Sequence, residues 1–146
     1  MFGLFDPPKA KSAGARYPVQ KTDAQWRAQL PGPAYQVLRH EGTEVPFTSP
    51  LNKVHQPGVF SCRGCNNALY RTADKFDSGT GWPSFTRPIA PRGAIATQTD
   101  RSLLMTRTEV HCARCGGHLG HVFDDGPAPT GLRYCMNGVA MIFRAA

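Results

Sequence analysis

With 146 residues the chain is long enough for one domain with a buried core, and a hydrophobic share of 40% is ordinary for a soluble protein. No apolar run approaches the roughly 20 residues that span a bilayer, and the opening Met-Phe-Gly-Leu-Phe-Asp-Pro-Pro-Lys lacks the basic-then-apolar order of a secretory signal, so the cytoplasm is the expected address. A net charge of +7 permits contact with nucleic acid or acidic surfaces, yet the lysines and arginines are dispersed and form no block, so a solvated basic surface is the simpler reading.

Taken in chain order, residues 1–20 hold Pro7, Pro8, Gly14 and Pro18 with little hydrophobic periodicity and are expected to be a flexible tail, leaving residues 21–146 as a single domain. Thr22-Asp-Ala-Gln25 has the form of a capping box, in which the Thr oxygen accepts from an N–H one turn on while Gln reaches back. A short helix is predicted through Trp26 and Leu30, stopped by Pro31-Gly32. Pro33 suits the start of a second short helix, with Tyr35, Val37 and Leu38 as packing residues and Gly42 at its end. From Gly58 the pattern changes to strands. They are expected at Val59–Ser61, Ala68–Arg71, Leu104–His111 (where Leu104, Thr106, Thr108 and Val110 share one face), His121–Phe123, Leu132–Met136 and Val139–Phe143, with a turn-rich connection over 124–131. These elements describe a small, mostly-β domain of the α+β kind with two short helices on its N-terminal side.

Four of the five cysteines form two matched pairs, Cys62-Arg-Gly-Cys65 and Cys112-Ala-Arg-Cys115. Each pair ends one strand and begins another, and Gly64, Asn66-Asn67 and Gly116-Gly117 supply residues tolerant of tight reversal. Two such knuckles can place four thiolates at the corners of a tetrahedron, the donor set of one structural zinc ion; four thiolates leave no open position for catalysis. Disulfides or buried free thiols are the alternatives, of which disulfides fit a cytoplasmic chain poorly. Residues 66–111 lie between the pairs, so a bound ion would close a long loop.

Cys135 has no cysteine near it and is a candidate nucleophile, although an isolated cysteine is ordinarily a small buried hydrophobe. On a strand, Arg133, Cys135 and Asn137 would share one face, with Arg133 favouring a thiolate and Asn137 offering a hydrogen bond. His118-Leu-Gly-His121 upstream offers two imidazoles suited to proton transfer near neutral pH; their plainer readings are metal ligands or surface residues. Within Asp77-Ser-Gly-Thr-Gly-Trp82-Pro-Ser-Phe85, glycines hold Trp82 on a turn, where its face suits a thioether or sulfoxide methyl as well as a core role.

At Phe76-Asp-Ser-Gly-Thr-Gly-Trp-Pro-Ser-Phe85, Arg107-Thr-Glu-Val-His-Cys112, Cys115-Gly-Gly-His-Leu-Gly-His-Val-Phe-Asp-Asp-Gly-Pro127 and Gly131-Leu-Arg-Tyr-Cys-Met-Asn137 the chain resembles the B-type methionine sulfoxide reductases, over about residues 20–143. The resemblance implies two antiparallel β-sheets, with zinc on Cys62, Cys65, Cys112 and Cys115 away from the active site. It implies reduction of methionine R-sulfoxide, protein-bound or free, by a nucleophilic Cys135 that passes through a sulfenic acid. His118, His121 and Asn137 would surround the sulfoxide oxygen, Trp82 would hold the methyl and Arg133 would assist the thiolate. Many members carry a resolving cysteine where this chain has Thr80, so thioredoxin or another external thiol is the expected reductant. A zinc-knuckle module binding nucleic acid or protein is the alternative from another class, and a thiol peroxidase a third. Neither accounts for Cys135, Asn137, Trp82 and the two histidines together.

Overall fold

The computed structural model describes residues 17–146. Residues 1–16, most of the expected tail, lie outside the described residues. Those at 17–20 lie against the second cysteine knuckle: the Val19 N–H donates to the Arg114 carbonyl at 2.9 Å, and the Tyr17 ring meets His111 edge-on.

Helix α1 spans Asp23–Gln29 and starts with the anticipated capping box, Thr22 Oγ1 accepting from the Gln25 N–H at 3.1 Å and Gln25 Oε1 from the Thr22 N–H at 2.9 Å. Helix α2 spans Gly32–His40 with Pro33 in its first turn; its left-handed terminal residue is Glu41 (φ 55°), one place before the glycine expected there. The helices clamp the knuckles. Leu38 packs over Gly117, Gln29 donates to the Gly64 carbonyl, Arg39 donates to the Cys115 carbonyl at 2.9 Å, and the Arg39 guanidinium stacks on Trp26.

Nine strands follow. β1 (Gly58–Cys62) pairs with β2 (Ala68–Arg71) and β9 (Met141–Ala145) in a three-stranded antiparallel sheet of order β2-β1-β9. The others, β3 (Lys75–Phe76), β4 (Ser84–Phe85), β5 (Ile95–Asp100), β6 (Arg107–Cys112), β7 (His118–Phe123) and β8 (Arg133–Met136), form a six-stranded antiparallel sheet of order β3-β4-β8-β7-β6-β5. The fold is therefore mostly β, with two antiparallel sheets and two short helices. Aromatic rings join the sheets: Tyr70 and Phe60 meet Phe85 at 4.4 and 5.0 Å between centroids, and Phe60 also meets Phe143 on its own sheet at 4.9 Å. Phe60, Tyr70, Phe85, Leu119 and Met136 are fully buried, and truncating an aromatic of this kind to alanine costs about 3–5 kcal/mol.

Two expectations are corrected. The strand anticipated over Leu104–His111 starts only at Arg107, because Leu103 and Leu104 both take left-handed backbone (φ 57°) in a turn that leaves Leu104 fully exposed. The strand anticipated over Val139–Phe143 opens with a 3-10 turn at Gly138–Ala140, and pairing starts at Met141. No helix among the described residues is long and apolar enough to cross a membrane.

Candidate active site

Register places the chemistry on one face of the larger sheet. Cys135 is the direct neighbour of His121 on β7 and of Ser84 on β4. His121 in turn faces Glu109, and Arg107 faces Asp100. Directly opposed residues share a face, so Asp100, Arg107, Glu109, His111, His121, Arg133, Cys135 and Ser84 form a polar and reactive array, while Val110, Met136 and Phe85 point into the core.

On a regular strand His118 and His121, three apart, would point to opposite faces. They do not, because the β6–β7 register shifts: Val110 opposes Gly120 and His111 opposes His118, leaving Leu119 as an extra, bulged residue. The bulge returns His118 to the face of His121, with ring centroids 5.5 Å apart. Gly120, inside it, has to be glycine, since a Cβ there would lie 2.0 Å from the Cys135 carbonyl oxygen.

A cleft of about 290 Å³ opens over this face, lined by Trp82, Thr80, Cys135, His121, Arg133 and Asn137, with Arg107 and Phe123 at its edge. Trp82 is half-buried, and its indole N–H donates to the Glu44 carbonyl at 3.1 Å, leaving the ring against the cleft. Gly81, at φ 94°, permits the turn that presents it, where a Cβ would strike Pro46 and Phe47. Asn137 reaches the cleft wall, but both ends of its amide are engaged: Nδ2 donates to the Leu119 carbonyl and Oδ1 accepts from the Glu44 N–H, each at 2.9 Å. Glu44 also accepts the Gly138 and Val139 N–H groups on its carboxylate, so one loop residue braces Trp82, Asn137 and the turn after Cys135.

His121 Nε2 bonds Asp100 at 2.8 Å, and Arg107 bonds the same carboxylate at 3.2 Å. Burial pushes the Asp100 carboxyl up, but hydrogen bonds from Ser102 and His121 and the charge of Arg107 outweigh it and hold the group at about 2. Burial lowers the His121 pKa against the opposing pull of Asp100. A neutral His121 that donates through Nε2 keeps Nδ1 as an acceptor. His118 is 2% exposed and does not line the cleft; it lies behind His121 with Nδ1 on Glu109 at 2.7 Å. Arg133 is gripped by Asp125 through two bonds of 2.8 and 3.1 Å, and its guanidinium lies over Phe123. Burial raises the Cys135 pKa, with Arg133 and the Thr80 hydroxyl pulling it down by less. Arg133 acts in the direction its sequence position suggested, and desolvation exceeds it.

None of the paired cysteines lines the cleft. Cys62, Cys65, Cys112 and Cys115 gather with all four sulfurs within 4.8 Å of one another, positioned to bind a metal ion. The Cys62–Cys115 and Cys65–Cys112 separations are 3.7 and 3.5 Å, far beyond a disulfide bond of about 2.05 Å. A tetrahedral zinc with bonds of about 2.3 Å sets its sulfurs roughly 3.8 Å apart, so the donor set fits that ion. Backbone N–H groups of Gly64, Arg114 and Gly117 point at Cys62, Cys112 and Cys115 from 3.3–3.4 Å, orienting the sulfurs inward.

Asp100, Arg107, Glu109, Glu44 and Asp125 were not singled out from the sequence. For Glu109 a signal was present: an acid and a histidine two apart, flanking a core valine immediately before a knuckle, share the face opposite that valine.

Comparison with known proteins agrees with this geometry. The SelR domain family matches residues 30–145. The chain is 51% identical over 125 residues to a protein of Agrobacterium fabrum named peptide methionine sulfoxide reductase MsrB, covering 86% of this chain and 92% of that one. Proteins of the same name from Bradyrhizobium diazoefficiens (49% over 134 residues, 92% of this chain and 96% of that one) and Leptospira interrogans (46% over 128 residues, 88% and 97%) match similarly.

Proposed function

Because the chain belongs to the peptide methionine sulfoxide reductase MsrB family, it is an enzyme that reduces methionine sulfoxide, and we propose that Cys135 is the thiol that attacks the sulfur of the R epimer. The observation that carries this reading is the cleft itself, which sets the lone cysteine beside an indole face, an imidazole and Arg133, and away from every other thiol. Neutral His121, a direct neighbour of Cys135, accepts the thiol proton at Nδ1. The thiolate sulfur attacks the sulfoxide sulfur while Trp82 packs on the methyl, and His121 gives the proton it took from the thiol to the oxygen as it gains charge. Transfer of that oxygen releases the thioether and leaves Cys135 as a sulfenic acid, so the substrate sulfur is reduced by two electrons and the cysteine sulfur oxidised by two. Arg133 offsets the thiolate charge, and Asn137, locked by Leu119 and Glu44, fixes the chain just after the nucleophile.

One external thiol then condenses with the sulfenic acid, expelling water and forming a mixed disulfide; a second releases Cys135. Thioredoxin or a small dithiol fits this demand, because Thr80 supplies no thiol at the cleft. We assign zinc to Cys62, Cys65, Cys112 and Cys115, where it supplies a structural cross-link between the two knuckles and no chemistry at the cleft. Residues 21–146 form the single catalytic domain, and paired cysteines committed to a metal suit the cytoplasm.

Separate R and S methionine sulfoxides, each with dithiothreitol and with wild type beside Cys135→Ser, test the reading. Turnover of the R epimer alone, abolished in the variant while fold and zinc persist, is the expected result. Comparable rates on the S epimer, or substantial activity in Cys135→Ser, would overturn it.

A further inference from the structure

Of the methionines among the described residues, Met136 and Met141 are fully buried, while Met105 stands 49% exposed on the turn that joins β5 to β6. Leu103 beside it is 75% exposed and Leu104 fully exposed, so three consecutive apolar side chains are presented to solvent. The turn is lightly held. The Met105 N–H donates to the Ser102 carbonyl at 3.1 Å and the Ser102 N–H to Asp100 Oδ1 at 2.9 Å, both local bonds. Leu103 and Leu104 occupy left-handed backbone that leucine seldom adopts. A segment with local bonds, strained backbone and little buried surface opens at low free energy, here without unpairing the hairpin behind it.

An exposed thioether is the one an oxidant meets first. Hydrogen peroxide gives one oxygen to the sulfur: the O–O bond breaks, an S–O bond forms and water leaves, so the sulfur loses two electrons that the peroxide gains. The product is the group this enzyme reduces, carried on the enzyme's own surface. Register decides which molecule can reduce it. Cys135 opposes His121, which opposes Glu109, so Cys135 lies two strands across from Glu109, and Met105 lies four residues before Glu109 in the chain. At about 4.8 Å per strand and about 3.3 Å per residue, the two Cα positions are roughly 16 Å apart. A methionine side chain spans far less than that, and Arg107 and Phe123 stand between at the edge of the cleft.

We propose that Met105 is the site at which peroxide modifies this enzyme, and that its R sulfoxide is a substrate for the cleft of a second molecule of the same chain. Repair is then intermolecular: Cys135 of one molecule takes the oxygen from Met105 of another, becomes a sulfenic acid and is restored by two external thiols, with water leaving. The S sulfoxide does not fit the same cleft and accumulates at Met105. The inference rests on the reading of Cys135 as nucleophile given above.

Cys135→Ser protein, treated with limited hydrogen peroxide and then with catalase, supplies the oxidised chain without its own nucleophile. Mass analysis should find one added oxygen on the Met105 peptide well before the Met136 and Met141 peptides. Dithiothreitol alone should leave it there, and dithiothreitol with a trace of wild type should remove about half of it, the R share. Met105→Leu should abolish the added oxygen in that peptide and turn over methionine R-sulfoxide like wild type. Oxidised wild type with dithiothreitol should recover Met105 with a rate constant that rises with enzyme concentration. Met105 oxidised no faster than Met136, a Met105 sulfoxide wholly resistant to a wild type that turns over methionine R-sulfoxide, or a recovery unmoved by dilution overturns this inference alone. A wild type inert toward both epimers of methionine sulfoxide overturns the reading of Cys135 and this inference with it.

Discussion

Cys135 shows two opposed influences meeting on one atom. Withdrawal from water favours the neutral thiol, while the guanidinium of Arg133 and the Thr80 hydroxyl favour the thiolate, and desolvation wins. Arg133 is itself committed to Asp125 through two bonds, which partly neutralises the charge it offers. The sign gives a prediction. With its pKa above the ordinary thiol value of about 8.5, Cys135 is mostly protonated in the resting enzyme at neutral pH. Its alkylation by iodoacetamide, followed by mass analysis of the Cys135 peptide, should still accelerate as pH rises past 8.5 or so. Arg133→Gln removes a stabiliser of the thiolate and should slow alkylation at every pH below that. A rate that levels off below about pH 7 would show a thiolate already formed, and would mean that the neutral His121 is not needed as base.

Among the elements, the knuckles and helices were the most legible. A capping box and a Pro-Gly stop are local chemistry, so α1 and α2 fell where Thr22 and Pro33 put them, and the spacing of the cysteines stated the tetrahedron directly. What escaped was decided by partners distant in sequence. β5, Ile95–Asp100, lies at the sheet edge with mostly polar side chains on both faces, so no alternation betrayed it, and with it went Asp100, the acid that holds His121. The bulge at Leu119 depends on β6 and β7 being laid side by side, and a reading of His-Leu-Gly-His alone gives the wrong face for one imidazole. Glu109 sat within a strand whose pattern was recognised, yet its burial follows from what covers that face. The knuckles carry their own prediction. Purified protein should contain one zinc per chain, and Cys62→Ser should lower the thermal midpoint together with zinc content, activity falling through unfolding and not through the cleft. Metal analysis with a melting curve checks both, and a metal-free chain melting like the zinc-loaded one would remove the ion from the account.

At the scale of the whole molecule, the fold keeps its five thiols in two separate places. Four are gathered at the knuckle ends of β1 and β6 beneath the helices, with backbone N–H bonds to the sulfurs of Cys62, Cys112 and Cys115, and the fifth stands alone on β8 in the cleft. A sulfenic acid at Cys135 therefore meets Thr80, whose hydroxyl bonds Ser78 at 2.8 Å, and Ser84 on the neighbouring strand, none of which can form a disulfide. After one turnover without reductant the enzyme should accumulate sulfenic acid at Cys135, trapped by a reagent selective for that group and located by mass analysis. Thr80 lies on the same cleft wall, so Thr80→Cys brings a second thiol to the site and should divert the trapped species into an intramolecular disulfide wherever the turn before Trp82 lets the two sulfurs meet. The wild type, in contrast, depends on a thiol arriving from solvent, and its turnover in excess substrate should rise in proportion to dithiothreitol concentration well beyond the point where a self-resolving enzyme saturates. A disulfide between Cys135 and any knuckle cysteine in the oxidised wild type would contradict this directly, because it would require the knuckle to give up a metal ligand and the two thiol sites to exchange partners.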